Sequence, residues 1–407
     1  MKIFSLFSKE VNYYLYMSAL FTFGNNLSAV FLTIFLWKLD STYTLLAYYS
    51  FVLSLIIIIS FWLCAWLAKK ITPMNTLRIG ILFYIFAYLI TLVFRDSLSN
   101  YIIVLGIFMG LAVSLFAVGS HMVALDMIEN EKRDKFLYLQ GVMTTFGGLV
   151  APLVAGFCIQ LFQGMTGYFV VFFLTCLFLC LSIFVSLPIK GKKLEVENNM
   201  REVLMHPSKK WKWMYPVMFI DGIFSGVYMT FLISIMIFMI AGNELNLGIF
   251  NTGAEVVSII AFLYLAKISN PNNRLEIFTI GSLVLFLSSA ILSTFPVFNT
   301  LIIYMFAKSI SMNMIQTSMN ALIYDAIESD PNYKKKRLDY VIIREIPLGL
   351  GRLLGIVIFI KIQQIFPLNE VIPISFSMFP VSYVLMIPLL YYISNKIAEK
   401  PITYKFQ

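Results

Sequence analysis

Charge is the scarcest resource in this sequence. Only 13% of its 407 residues are Asp, Glu, Lys or Arg, about half the share of an ordinary soluble domain. A chain of this length has room for two or three soluble domains, but so few charges cannot build their surfaces. Histidine is rarer still, at two residues, which argues against a His-built metal site. The four cysteines, Cys64, Cys158, Cys176 and Cys180, all fall inside apolar runs. There they read as reduced packing residues rather than bridges or ligands. No Gly-x-x-x-x-Gly-Lys-Ser/Thr loop occurs, so nucleotide-driven work is not expected. With no nucleophile motif and no extramembrane domain in view, a membrane enzyme is disfavoured. Disorder, a secreted disulfide scaffold and a nucleic-acid-binding module are excluded by the same composition.

What the chain has is apolar length: 60% of its residues are hydrophobic. A membrane-spanning helix takes roughly 20 apolar residues. Twelve such runs are found, at 11–37, 43–68, 77–94, 100–126, 137–162, 168–188, 214–241, 247–266, 276–295, 300–326, 339–366 and 371–394. Lys2 and Lys9 precede the first run and no small-residue cleavage site follows, so that run is expected to be retained as a span. The formal net charge of +9 is concentrated in alternate connectors, which with the two termini hold 24 of the 30 Lys and Arg. Alternation of this kind places both termini in the cytoplasm of a multi-pass protein of the cell membrane. The longest connector, 189–213, divides the chain into two six-span bundles, 1–188 and 214–407.

The two bundles repeat one another at an offset of 197 to 199 residues. Leu67-Ala68-Lys69 with Pro73 and Asn75 matches Leu265-Ala266-Lys267 with Pro271 and Asn273. Asp126, Ile128 and Glu129 match Asp325, Ile327 and Glu328; Ser28, Val30 and Thr33 match Ser225, Val227 and Thr230; Gly156 matches Gly355. Parallel repeats of this kind build one large class of secondary transporters.

With six plus six spans, a long central loop and related halves, the sequence resembles the major facilitator superfamily over essentially its whole length. The family's loop motif after the second span, Gly-x-Leu-Ala-Asp-Arg-x-Gly-Arg, corresponds to Ala65-Trp66-Leu67-Ala68-Lys69-Lys70-Ile71-Thr72-Pro73. Lys69 stands where the family carries an acidic residue that helps lock the cytoplasmic face. Charge sign alone suggests a reversed pairing of Lys69 with Asp126 or Glu129. The fifth-span motif of exporters, Gly-x-x-x-Gly-Pro-x-x-Gly-Gly, corresponds to Gly147 through Gly156 around Pro152, with two glycines replaced by alanine. That match implies export, while a generic small-residue packing face explains the same residues. The fourth span lacks the Arg often tied to proton handling in the family. The resemblance implies an all-α fold of twelve spans in two pseudo-symmetric six-helix bundles, acting as a monomer without a cofactor or metal.

Ionisable residues inside a bilayer cost about 2.5–3.5 kcal/mol each on insertion scales, so they mark function. Asp221, Glu255, Lys308, Arg344, Glu345 and Arg352 lie deep in spans 7, 8, 10 and 11. Glu345 and Arg352 are seven residues apart and share a helix face. Arg352 is read either as the midpoint charge of a bending helix or as half of a salt bridge to a neighbour such as Glu255. Polar stripes run along Ser18, Thr22 and Asn25 with Asn26 beside them, along Asp221, Ser225 and Tyr228, and along Ser309, Asn313, Gln316 and Asn320. The resemblance places spans 1, 4, 7 and 10 on the substrate path; interhelical hydrogen bonding is the other account of the stripes. His121 is a further titratable candidate in span 4.

These readings converge on a secondary transporter. The expected substrate cavity holds Asn25, Asn26, Ser225, Tyr228, Lys308, Asn313, Gln316, Asn320 and Arg352. The expected proton-coupling carboxylates are Asp221, Glu255 and Glu345, because a desolvated carboxylate titrates closer to neutral pH. The expected gating set is Lys69, Asp126, Glu129, Pro152, Lys267, Asp325 and Arg344. Proton-driven efflux of a small amphiphilic or hydrophobic compound fits this set. A flippase or transporter of an anionic, lipid-linked or sugar-containing substrate is the alternative, since Arg352, Lys308 and Arg344 suit phosphate or carboxylate.

Overall fold

The computed structural model describes residues 7–40, 42–126, 133–191 and 200–396. Among the described residues the chain is helical with connecting turns, and no strand occurs. Twelve long helices follow in order. They are α1 (Lys9–Leu39), α2 (Thr44–Lys70), α3 (Pro73–Phe94), α4 (Ile102–Asp126), α5 (Arg133–Phe162) and α6 (Gly164–Ser186), then α7 (Lys209–Ala241), α8 (Glu244–Ile268), α9 (Arg274–Thr294), α10 (Phe298–Glu328) and α11 (Tyr333–Ile365). The last, α12, runs Leu368–Met378 and continues as Val381–Lys396. One further short helix, Met200–Met205, sits in the connector between α6 and α7.

Among the described residues, nine apolar stretches long enough to cross a membrane cover ten of these helices, because one stretch, Pro73–Val123, holds both α3 and α4. The remaining two, α10 and α11, carry Lys308, Arg344, Glu345 and Arg352. The chain is an all-α polytopic membrane protein. Polar residues appear where helices must start. Ser8, Thr72, Ser208 and Asn243 each accept a hydrogen bond from the backbone N–H three residues on, satisfying a donor the helix cannot. Gly242 closes α7 in the left-handed region (φ +79°) directly before the Asn243 cap, so α7 and α8 join through a two-residue turn.

Helices α1–α6 pack mainly on one another, as do α7–α12, and the two sets meet along α5/α8 and α2/α11. Their internal contacts repeat at or close to the sequence offset. Ser60 of α2 donates to Ser114 of α4 at 2.8 Å, and 198–199 residues later Asn313 of α10 donates to Ser258 of α8 at 2.8 Å. Gly80 brings α3 against the backbone of Leu115 and Phe116 in α4, as Gly281 brings α9 against Ser311 and Met314 in α10. Across the sets, the Thr33 hydroxyl lies 3.5 Å from the carbonyl of Thr230, its repeat partner.

Candidate functional site

The intramembrane charges gather where α7 meets α11. Glycines bring the two helices together: Gly222 and Gly226 of α7 face the α11 backbone from Leu348 to Arg352, and Gly351 and Gly355 of α11 face Phe219 and Ile223. Without Cβ atoms the backbones touch, and side chains flanking the glycines are held in place. Asp221 accepts a hydrogen bond from the Tyr383 hydroxyl of α12 at 2.8 Å. Arg352, Arg344 and Glu345 all lie within electrostatic reach of its carboxylate. Glu345 is itself buried and stands between the two cations, 3.5 Å from Arg344 and 3.6 Å from Arg352. The expected shared face of Glu345 and Arg352 is therefore real, and the two residues pair within α11. Arg352 does not pair with Glu255, which removes that suggestion. Two carboxylates and two guanidinium groups balance, so the cluster carries no net formal charge. His121 of α4 lies within electrostatic reach of Arg344 and Glu345, across the boundary between the helix sets.

Glu255 of α8 has Lys308 of α10 as its electrostatic partner, yet no ion pair within 4 Å joins them among the described residues. Lys308 heads a row at four-residue spacing that becomes more exposed along α10: Lys308 and Met312 are half-buried, while Gln316 and Asn320 are exposed. Asn313 was expected to line the path. It is instead spent on packing, donating to Ser258 of α8 and to the Ser309 carbonyl one turn back. Asn25 and Asn26 are half-buried on α1, with the Asn26 amide against Gly148 of α5.

The stripe expected on α7 breaks. Residues Ser225–Leu232 form a π-helix, in which Thr230 donates to the Ser225 carbonyl and Ile233 N–H reaches the Tyr228 carbonyl, five residues back. The wider turn shifts every following side chain around the axis. Ser225 stays half-buried near Asp221. Tyr228 is fully buried inside the second helix set, hydrogen-bonded to Ser289 at 2.6 Å and Tyr304 at 3.0 Å. It lines no open path. A 3.6-residue period could not anticipate this, and it equally hid Tyr383, which looks like one more apolar-span aromatic in the sequence.

Contacts between the helix sets are unequal at the two ends of the bundle. At the end bearing the α6–α7 and α8–α9 connectors, termed the basic end, the α5–α8 seam is sparsely bonded among the described residues. Among those residues, the bond nearest that end runs from the Thr252 hydroxyl to the Leu149 carbonyl at 2.8 Å. Beyond it Glu255, Val256, Ile260, Leu263 and Tyr264 are all exposed. At 100° per residue they span half of the helix circumference. At the opposite end the seam is closed. Lys38 of α1 pairs with Glu244 of α8, which also accepts from Tyr168 of α6 at 2.7 Å. Gln363 of α11 donates to Thr44 of α2 at 2.9 Å. Pro152 and Gly156 of α5 sit inside this closure, with Gly248 packed on the Pro152 carbonyl and Gly156 on that of Glu244.

Of the other expected gating residues, Asp325 pairs with Arg274 of α9 at 2.6 Å, and Lys267 is exposed on α8. Arg344 pairs with Glu345 beside it. Glu129 and the side chains of Lys69 and Asp126 lie outside the described residues.

The sequence profile of the Major Facilitator Superfamily matches residues 76–333, more than half of the chain. The chain belongs to the Major Facilitator Superfamily. It is a transporter of that family and not an enzyme. It is 26% identical over 395 residues to the uncharacterized protein YqgE of Bacillus subtilis, covering 97% of this chain and 91% of that one. In fold it is similar to the nucleoside transporter NupG (TM-score 0.72, 10% identity, 95% of this chain and 100% of that one). A bacterial homologue of the iron transporter ferroportin in its inward-facing state is similar as well (TM-score 0.69, 14% identity, 95% and 99%). At these identities the structural likeness concerns the fold alone.

Proposed function

We propose that this transporter exports a small amphiphilic compound in exchange for protons, by alternating access at the cell membrane. The observation that carries this reading is the Asp221–Tyr383 bond beside the Arg344–Glu345–Arg352 cluster of α11, a helix that meets the first set through α2. Cation and carboxylate are balanced there, so adding a proton to Asp221 or Glu345 leaves a guanidinium free and changes which partners the helices prefer. Glu255, expected as the third carboxylate of the coupling set, is exposed on α8 and lacks the burial on which that expectation rested. The two six-helix sets are taken as the units that rock. The basic end is placed in the cytoplasm with both termini, and the Lys38–Glu244–Tyr168 closure at the outer face. Export as the direction rests on the exporter-like run Gly147 to Gly156, whose Pro152 and Gly156 bear directly on α8.

A second reading is favoured by Lys308. A cation within a span and without an ion-pair partner within 4 Å among the described residues suits an anionic head group. One experiment tests both. Purified protein in liposomes loaded with a pH-sensitive dye is challenged with cationic, neutral and anionic amphiphiles. A protein-dependent proton flux triggered by a cationic or neutral compound supports the first reading, and response to anionic compounds alone supports the second. Absence of flux with every class removes proton coupling.

A further inference from the structure

The connector between the helix sets carries the short helix Met200–Met205. Six residues make too few hydrogen bonds to hold a helix by themselves, so its place is set by what it touches. It touches both sets. Met200 is buried in an apolar cluster with Phe61 and Cys64 of α2 and Leu115 and Met122 of α4, and Ile342 of α11 completes that cluster. Two residues further on, Glu202 accepts a hydrogen bond from Lys336 of α11 at 2.8 Å.

Lys336 is a buried cation, with 7% of its side chain exposed. Its second partner is Asp330 at 3.2 Å, which also accepts from the Tyr340 hydroxyl at 2.7 Å and the Asn332 amide at 2.8 Å. The far end of the connector is fastened to the same region. Ser208 and Ser329 share a hydrogen bond at 2.8 Å, and the buried Trp211 ring meets Tyr340 edge-on at 4.8 Å. Drawing α11 away from α2 at the basic end therefore requires one of two events. Either Met200 leaves its apolar cluster, exposing it and Cys64 to water, or the Glu202–Lys336 pair breaks.

We propose that the Glu202–Lys336 pair is a latch that keeps the α2–α11 side of the basic end shut, so that opening at this end runs along α5–α8 until the latch releases. Glu202 is the natural releasing partner. Its side chain is half exposed, whereas Lys336 keeps Asp330 when Glu202 departs. The latch is independent of the substrate and of proton coupling.

Cys64 is a built-in reporter, because it is 4% exposed beneath Met200. In full-length protein with Cys158, Cys176 and Cys180 replaced by serine, labelling of Cys64 by a membrane-impermeant maleimide is timed in proteoliposomes opened to both faces. Glu202→Gln is expected to speed labelling about fivefold, the scale of one partly exposed ion pair. Glu202→Asp, which keeps the carboxylate, is expected to label closer to the parent rate. Since Lys336→Gln leaves Asp330 facing only neutral partners and Lys336→Glu would set a second carboxylate against it, the conclusion rests on Glu202→Gln and Glu202→Asp, each checked for monodisperse elution. Unchanged labelling in Glu202→Gln overturns the latch. Faster labelling that Glu202→Asp matches in full overturns the pairing as its basis. Neither result depends on transport, so the proposed function stands or falls separately.

Discussion

Gly226→Ala tests the α7–α11 contact on which the charge cluster depends. A Cβ added at Gly226 would lie 2.7 Å from both the Cα and the carbonyl oxygen of Arg352. Ordinary contact begins at 3.4 Å, so the helices must part by about 0.7 Å at that point. The obstacle is backbone, which cannot rotate aside as a flexible side chain can. Overpacking of this kind costs about 1–3 kcal/mol, a factor of roughly 5 to 150 in the folding equilibrium. The displaced residue is Arg352 itself, so its approach to the Asp221 carboxylate across the α7–α11 contact is weakened together with stability. Gly253 of α8 and Gly141 of α5 are the controls, because a Cβ at either meets nothing within 4 Å. Alanine there removes the helix penalty of glycine and should stabilise by up to about 1 kcal/mol. The assay is the fraction of protein eluting as a monodisperse peak after heating in detergent, followed by proton flux in liposomes for variants that survive. The midpoint is expected to fall for Gly226→Ala and to hold or rise for Gly253→Ala and Gly141→Ala. If Gly226→Ala behaves like Gly253→Ala, the helices do not meet at Arg352 as described, and the cluster built on that contact goes with it.

Tyr383→Phe removes the hydroxyl from Asp221 while keeping the ring against Phe224; compound-triggered proton flux is expected to fall at least about tenfold, the scale of a hydrogen bond to a charged group, with the elution profile unchanged. Glu345→Gln leaves Arg344 and Arg352 without their shared carboxylate and should lower the heat midpoint more than the Glu345→Gln, Arg352→Gln double variant does, because an unpaired buried charge costs more than a missing pair. The latch should be insensitive to pH in the physiological range. Burial pushes the Asp330 carboxyl up, but the Tyr340 hydroxyl, the Asn332 amide and Lys336 outweigh it and hold it below the usual carboxylate range. Its contribution is present above that range and is lost only as pH falls through the depressed value. Lys336 is raised by Glu202 and Asp330, so its contribution is present below the usual lysine range and is lost as pH rises through the raised value. Tyr340, the remaining titratable group on Asp330, donates its hydroxyl to that carboxylate at 2.7 Å. Cys64 labelling, corrected for the reactivity of a free thiol, should therefore be flat from about pH 5.5 to 8.5. A step within that window would place a titrating group in the latch.

How much of this was legible in the sequence follows from what each kind of signal encodes. Twelve apolar runs, alternating basic connectors and the 197–199 offset report local hydrophobicity and duplication. Those properties survive folding, so the helices and the repeated Ser60–Ser114 and Ser258–Asn313 contacts follow from them. The charges of α7 and α11 were legible for the same reason, since an ionisable residue in an apolar run stands out without any knowledge of its neighbours. Partners were harder to read. Glu345 and Arg352 were found together because seven residues on one helix is a local relation. Tyr383 was missed because its carboxylate sits on another helix 162 residues away, and a lone tyrosine in a span looks like an interfacial aromatic. Tyr228 failed for a third reason: the π-helix at Ser225–Leu232 breaks the period that assigned it a face. That failure and the site share a cause. The wide turn begins four residues after Asp221 and itself contains Thr230, so along it α7 serves α11 on one side and α1 on the other. A regular helix would carry Tyr228 on the Asp221 face. The π-helix turns it into the second set, where Ser289 and Tyr304 hold it, and leaves Gly226 against Arg352. The local departure from helical periodicity, which the sequence pattern does not announce, is what moves Tyr228 off the Asp221 face and into the second set.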